Sequence, residues 1–170
     1  WLQNSVPKLM NNLNAEYFLS PLLEAPVFSN IKSIVLAHDL IPLRYPSVSF
    51  LTLYYLIYIP LILKQSKLIL CNSISTANDL HRFYKVPMHK LFPIKLGFNN
   101  KKYYPIKKIR KKFFLIIGRH NPHKNLLRVI KAFAYSKIND YKLIFVGPFD
   151  KRHTPILLKL IDKHNIRHLC

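Results

Sequence analysis

Three glycines, two cysteines, one tryptophan and seven acidic side chains are all that 170 residues contain of these types, and each shortage narrows what the chain can be. With so few glycines, left-handed backbone has few places to occur, which singles out Gly97, Gly118 and Gly147. Cys71 and Cys170 stand in no redox or metal-ligand spacing, which predicts a reduced cytoplasmic protein. No charged region followed by an apolar stretch and a cleavage site is found, so no secretory signal is read. The chain opens on Trp1 and stops abruptly at Cys170, and reads as a piece of a longer protein. No internal repeat is visible. No serine elbow or cysteine–histidine arrangement is present, and His120 and His123 have no third partner at zinc spacing, so both are expected in solvent.

What is present is apolar. Half the residues are hydrophobic and 13% are aromatic, enough for a sizeable core and too much for disorder. The scarcity of acid leaves a net charge of +20, unevenly placed. Residues 1–63 hold three basic and three acidic side chains, whereas residues 64–170 hold 24 basic and four acidic. Such a field attracts nucleotide diphosphates, anionic lipid headgroups and nucleic acid alike, and a merely solvated lysine-rich face would look the same. Ser47 to Leu63 is 17 residues without a charge, at the short edge of spanning length. Pro60, Thr52 and the tyrosines favour a buried or half-buried helix over a span, with a membrane-surface role in reserve because tyrosine suits the interface.

Short apolar runs at Ser33–Ala37 and Leu68–Cys71 predict buried parallel strands, each ending in polar residues. His38 and Asp39 follow the first. Asn72, Ser73 and Ser75 follow the second, with Ser75 expected to cap a helix from Thr76 to about Tyr84. Residues 101–112, KKYYPIKKIRKK, are seven-twelfths basic and predict a linker. The pattern then restarts. Phe113–Ile117 predicts a buried strand ending in Gly118, and Asn125 is expected to cap a helix through Leu126, Val129, Ile130 and Phe133. Leu143–Val146 predicts a strand ending in Gly147, and Thr154-Pro155 a cap and first turn for a helix from Ile156 to about Lys163. Right-handed parallel crossovers are the default for this order, and ligands bind beyond the carboxyl ends of such strands. There Gly118 permits a sharp turn, Arg119 supplies a bidentate guanidinium, and Lys124 brings a point charge to a helix N-terminus. That combination suits a diphosphate, and a cationic loop that is merely exposed before a helix would read the same.

The chain resembles family 4 glycosyltransferases. The resemblance rests on FLIIGR at 114–119, PHKNL at 122–126, IKAF at 130–133 and KLIFVG at 142–147, which look like the start of that family's donor-binding domain. IVLAHDLIP at 34–42 with Tyr45-Pro46 is similar to its "HDL-P" segment, and Asn72-Ser73 through Thr76 to Asp79-Leu80 resembles its "S-x-x-T-x-x-D-L" helix entry. Val86-Pro87, Lys90 and Gly97 resemble the run into its interdomain linker. The resemblance implies an α/β GT-B architecture of two Rossmann-like parallel-sheet lobes facing a cleft, both incomplete here. Residues 1–96 would belong to the acceptor domain, 97–112 to the linker and 113–170 to the donor domain.

It further implies sugar transfer with retention from a nucleotide-diphosphate sugar to a glycan or lipid-linked acceptor. Gly118, Arg119, Lys124 and Asn125 would bind the donor diphosphate and oppose its growing charge without a metal, and His38 and Asp39 would lie near the reacting sugar. Plainer roles for the last two are a histidine satisfied by backbone and an aspartate capping a turn. The family's acidic "E-x7-E" segment and its N-terminal glycine-rich loop are missing. The positive half predicts peripheral contact with anionic membrane on the inner face of the cell. A sugar-nucleotide epimerase or a phosphorylase of the same architecture is the nearer alternative. A basic nucleic-acid-binding module, with Tyr103-Tyr104 stacking on bases, is the more distant one; no recognised nucleic-acid motif is present and no nucleic-acid partner is expected.

Overall fold

The computed structural model describes residues 1–105 and 111–170, so part of the predicted linker, residues 106–110, lies outside the described residues. The chain forms two compact units, Trp1–Tyr103 and Tyr104–Cys170.

The first unit runs α1 (Ser5–Asn12), β1 (Tyr17–Ser20), β2 (Lys32–Ala37), α2 (Ile41–Arg44), α3 (Phe50–Gln65), β3 (Ser66–Cys71), α4 (Ile74–Tyr84), a 3-10 turn (Met88–Lys90) and β4 (Leu91–Pro93). Its strands make one all-parallel sheet in the order β1-β2-β3-β4. Alternation buries Ser33, Val35 and Ala37 along β2 and Ile69 and Cys71 along β3 completely, and a register shift sets the equally buried Ser66 opposite Ser33. The two buried serines satisfy one another and the helix before them: their hydroxyls lie 3.3 Å apart, and that of Ser66 donates to Ile62 O at 2.7 Å. Burial pushes the Cys71 thiol up to about 11, leaving it an inert packing group. From α3, Ile59 and Ile62 reach the same core, each side chain worth about 1.5–3 kcal/mol of burial.

The uncharged run of 47–63 is thus the half-buried helix expected. It starts at a Ser49 cap that accepts from Thr52 N–H. The cap of α4 falls elsewhere than expected. Ser73, in extended backbone, accepts from Thr76 N–H at 3.1 Å, so the helix begins at Ile74 and Ser75 is already inside it. Pro93 closes β4 at the sheet edge, where its missing N–H costs no ladder bond.

The second unit runs β5 (Phe113–Ile117), a 3-10 turn (Pro122–Lys124), α5 (Leu126–Ser136), β6 (Lys142–Val146), α6 (Thr154–Lys163) and a final 3-10 turn (Arg167–Leu169). The two strands pair in parallel, Phe113 opposite Lys142 through Ile117 opposite Val146. Leu126, Ile130 and Phe133 from α5 meet Leu143, Leu157 and Ile161 in a separate core. The strand expected to be buried is not: Phe113, Phe114, Leu115 and Ile117 of β5 are all exposed, because β5 has one sheet neighbour among the described residues and the helices cover only part of it. The order strand, helix, strand, helix nevertheless stands, and both sheets are parallel as a Rossmann-like α/β fold requires.

Candidate functional site

In the first unit the polar groups collect at the carboxyl ends of β2 and β3. His38 and Asp39 are exposed, but the loop holding them is pinned between Ala37 and Leu40, both buried to within 1%. His38 Nε2 lies 3.0 Å from Pro21 O, which fixes the ring and leaves Nδ1 outside that bond. Asp39 Oδ1 accepts from Ile41 N–H at 3.0 Å. Both plainer roles considered for these residues are therefore visible, and neither removes the side chain from the surface.

From the next strand end, the Thr76 hydroxyl can donate to His38 O at 3.1 Å or to Asn72 Oδ1 at 3.0 Å, and lies 2.9 Å from the Ser73 hydroxyl. A second tie escaped sequence reasoning. Arg44 reaches Asp79 in a two-pronged pair, Nε to Oδ2 at 2.6 Å and Nη2 to Oδ1 at 2.7 Å, joining α2 to α4 across 35 residues. Its guanidinium is held further in the charged form by that bond, and the Asp79 side chain is only 10% exposed. Asp79 thus positions the loop rather than meeting a ligand.

Glu24, His38, Asp39, Tyr54 and Tyr55 line a cavity of about 180 Å³. Burial, then Glu24, pushes the Tyr54 hydroxyl up to about 12, and burial with Asp39 and Glu24 raises that of Tyr55. Both remain neutral donors near neutral pH, beside two carboxylate acceptors. Leu22, Leu23, Leu51 and Ile59 complete the wall, which is thus part apolar and part hydrogen-bonding.

In the second unit the strand ends are set by two glycines. Gly118 takes φ +142°, a region only glycine occupies comfortably, and its N–H donates to Val146 O at 2.9 Å. Gly147 is required for a different reason: a Cβ there would lie 2.0 Å from Gly118 O. Both exits from the sheet are therefore pressed together.

Arg119 follows at once and is exposed. Lys124 closes the 3-10 turn, and its stem folds back so that Cε lies 3.7 Å from where a Gly118 side chain would begin. The expected cap does not form. Asn125 holds the N-cap place of α5 but sits in left-handed backbone (φ 54°), and its side chain makes no capping bond, whereas a cap needs extended backbone. Thr154 departs in the same way. It lies inside α6, and its hydroxyl turns back to accept from Asp150 N–H at 2.9 Å and to meet His120 Nδ1 at 2.7 Å.

That last bond corrects the expectation of solvated histidines. His120 is half-buried with its Nε2 enclosed and unpartnered among the described residues, and His123 is half-buried too. Backbone N–H donors of His153 and Arg152 hold the Asp150 carboxyl below the usual range. No group of three metal-ligating side chains occurs among the described residues.

Gly118, Lys124 and the start of α5 are thus brought to one strand end, with Arg119 beside them. His38, Asp39 and the cavity form a second cluster in the other unit. No protein-family model matches the chain, and comparison with curated proteins returns no match. Among solved structures the fold is similar to that of a glycosyltransferase from Rickettsia africae ESF-5, with TM-score 0.64 and 18% identity over 96% of this chain and 48% of that one. The chain spans about half the length of that structure.

Proposed function

We propose that these residues belong to a retaining glycosyltransferase of GT-B architecture and family 4 type, in which 1–96 are acceptor domain, 97–112 linker and 113–170 donor domain. The donor is a nucleotide-diphosphate sugar and the acceptor a glycan or lipid-linked saccharide in the cytoplasm. The observation that carries the reading is the fold-back of Lys124 over the Gly118 strand end, at the N-terminus of α5. A helix N-terminus offers free N–H groups and partial positive charge, and two cations beside it favour a diphosphate.

Retention requires the leaving diphosphate to depart from the face on which the acceptor oxygen arrives. Negative charge grows on the bridging oxygen as the anomeric bond breaks, so Arg119 and Lys124 act most strongly in the transition state and do the work a divalent ion does elsewhere. Gly118 and Asn125 shape the loop that presents them. His38 and Asp39, with the cavity beside them, take the acceptor side, where a carboxylate can receive hydroxyl protons and a tyrosine can donate to ring oxygens.

The test is transfer of labelled sugar from a panel of nucleotide-diphosphate sugars by the intact transferase. Lys124→Ala should lower turnover by on the order of 100-fold, ~2.7 kcal/mol, while changing donor affinity less. Transfer that survives Arg119→Ala with Lys124→Ala would reduce both residues to surface charge.

A further inference from the structure

The helix α3 carries an apolar outer face that nothing in its own unit covers. Ile59, Ile62 and Leu63 point into the core, whereas Phe50, Leu53, Ile57 and Leu61, spaced as one helical stripe, are exposed, Phe50 to 92%. Leu56 is exposed too, and Val48 protrudes beside the first turn. An open groove of about 450 Å³ runs along this end, walled by Val48, Phe50, Leu53 and Leu56. Exposed apolar patches beyond several hundred Å² mark contact surfaces in soluble proteins.

Charge indicates what makes the contact. The stripe has no ionisable side chain until its C-terminal end, where Lys64 follows in the last turn, Lys67 is the second residue of the next strand and the Lys90 ammonium donates to Lys64 O at 3.3 Å and to Ser66 O at 3.2 Å. None of the three is paired with a carboxylate among the described residues. An apolar stripe ending in lysines whose charge no carboxylate offsets complements a surface that is at once apolar and anionic. A second copy of a chain with net charge +20 does not qualify, because like charges oppose its approach. Sixteen residues rise roughly 24 Å, short of the ~30 Å hydrocarbon core, and no helix among the described residues is long and apolar enough to cross a membrane.

We propose that the outer face of α3 docks the protein on an anionic lipid surface, lying in its plane with Phe50, Leu53, Ile57 and Leu61 at the headgroup–acyl boundary and Lys64, Lys67 and Lys90 against lipid phosphates. This is an apolar contact in the first unit, distinct from diffuse attraction of the basic half, and it stands whether or not the glycosyl-transfer reading does. Binding strength follows buried apolar area together with headgroup attraction.

The experiment is co-sedimentation of the full chain with vesicles of phosphatidylcholine alone and of phosphatidylcholine mixed with phosphatidylglycerol, in low salt and in about 0.5 M salt. Expected are binding to the mixed vesicles, a residue of it that survives high salt, and at least a tenfold loss in Phe50→Ser/Leu53→Ser/Ile57→Ser. A second measurement does not depend on how that variant folds. In a Trp1→Phe background, Phe50→Trp fluorescence should be quenched by lipids brominated near the top of the acyl chain. Absence of quenching, binding that the serine variant retains in full, or binding abolished entirely by salt would overturn the proposal. So would a dimer that the serine substitutions disperse without any vesicle binding, which would make a second copy the occupant.

Discussion

Ile69 in β3 and Ile117 in β5 lie in apolar runs of closely similar character, yet Ile69 is wholly buried and Ile117 is 72% exposed. The difference follows from how many neighbours each strand has. β3 is flanked by β2 and β4, and α3 and α4 pack on its unit's sheet. Among the described residues β5 has β6 alone beside it. An apolar run states what a strand can bury; the number of layers around it decides what it does bury. The polar loops are held by correspondingly different means. In the first unit, long-range side-chain bonds from Arg44 and Thr76 fix the His38–Asp39 loop. In the second, close backbone approach at Gly118 and Gly147 does the same for the cationic loop.

The comparison can be broken most directly with one truncation made twice. Ile69→Ala should cost about 2–5 kcal/mol in denaturant unfolding, whereas Ile117→Ala should stay within about 0.5 kcal/mol. Equal costs would mean that β5 is as covered as β3. Glycine gives a sharper version. Gly147→Ala forces a methyl onto Gly118 O and should cost about 1–3 kcal/mol with loss of the loop geometry, read from amide chemical shifts at residues 118–125. Gly97→Ala has open space and no left-handed backbone, and should be nearly silent.

The smallest effect is in the response to alkali. The Tyr54 hydroxyl titrates near 10 when unfolded and at about 12 when folded. Its contribution to stability is therefore complete below pH 10 and is lost as the pH rises from about 10 to about 12. Tyr54→Phe should flatten that loss. Melting temperatures across this range decide it.

Much of this organisation was legible in the residues. The four apolar runs that end in His38, Asn72, Gly118 and Gly147 are strands, and the cations at 119 and 124 sit in the loop between a strand and a helix. Ile130 and Phe133 bury as their spacing predicts. β1 and β4 were not legible, because YFLS and LFP are too short to show a period and owe their strand character to pairing with β2 and β3. The Arg44–Asp79 pair could not be seen either, since nothing local marks two charges 35 residues apart as partners. Caps failed for a local reason. Ser73, Ser75, Asn125 and Thr154 all have the right chemistry, and backbone conformation alone selects Ser73. His120 was misjudged because its partner, the Thr154 hydroxyl, lies 34 residues away.

A diphosphate site formed by Gly118, Arg119, Lys124 and Asn125, as proposed above, should reveal itself in one titration. Amide chemical shifts of the chain are followed as a nucleoside diphosphate is added, in parallel with the Arg119→Ala/Lys124→Ala variant. The account predicts saturable shifts concentrated at residues 118–126, and an affinity at least tenfold weaker in the double variant. Shifts scattered over the basic surface, or equal affinity in both proteins, would contradict it.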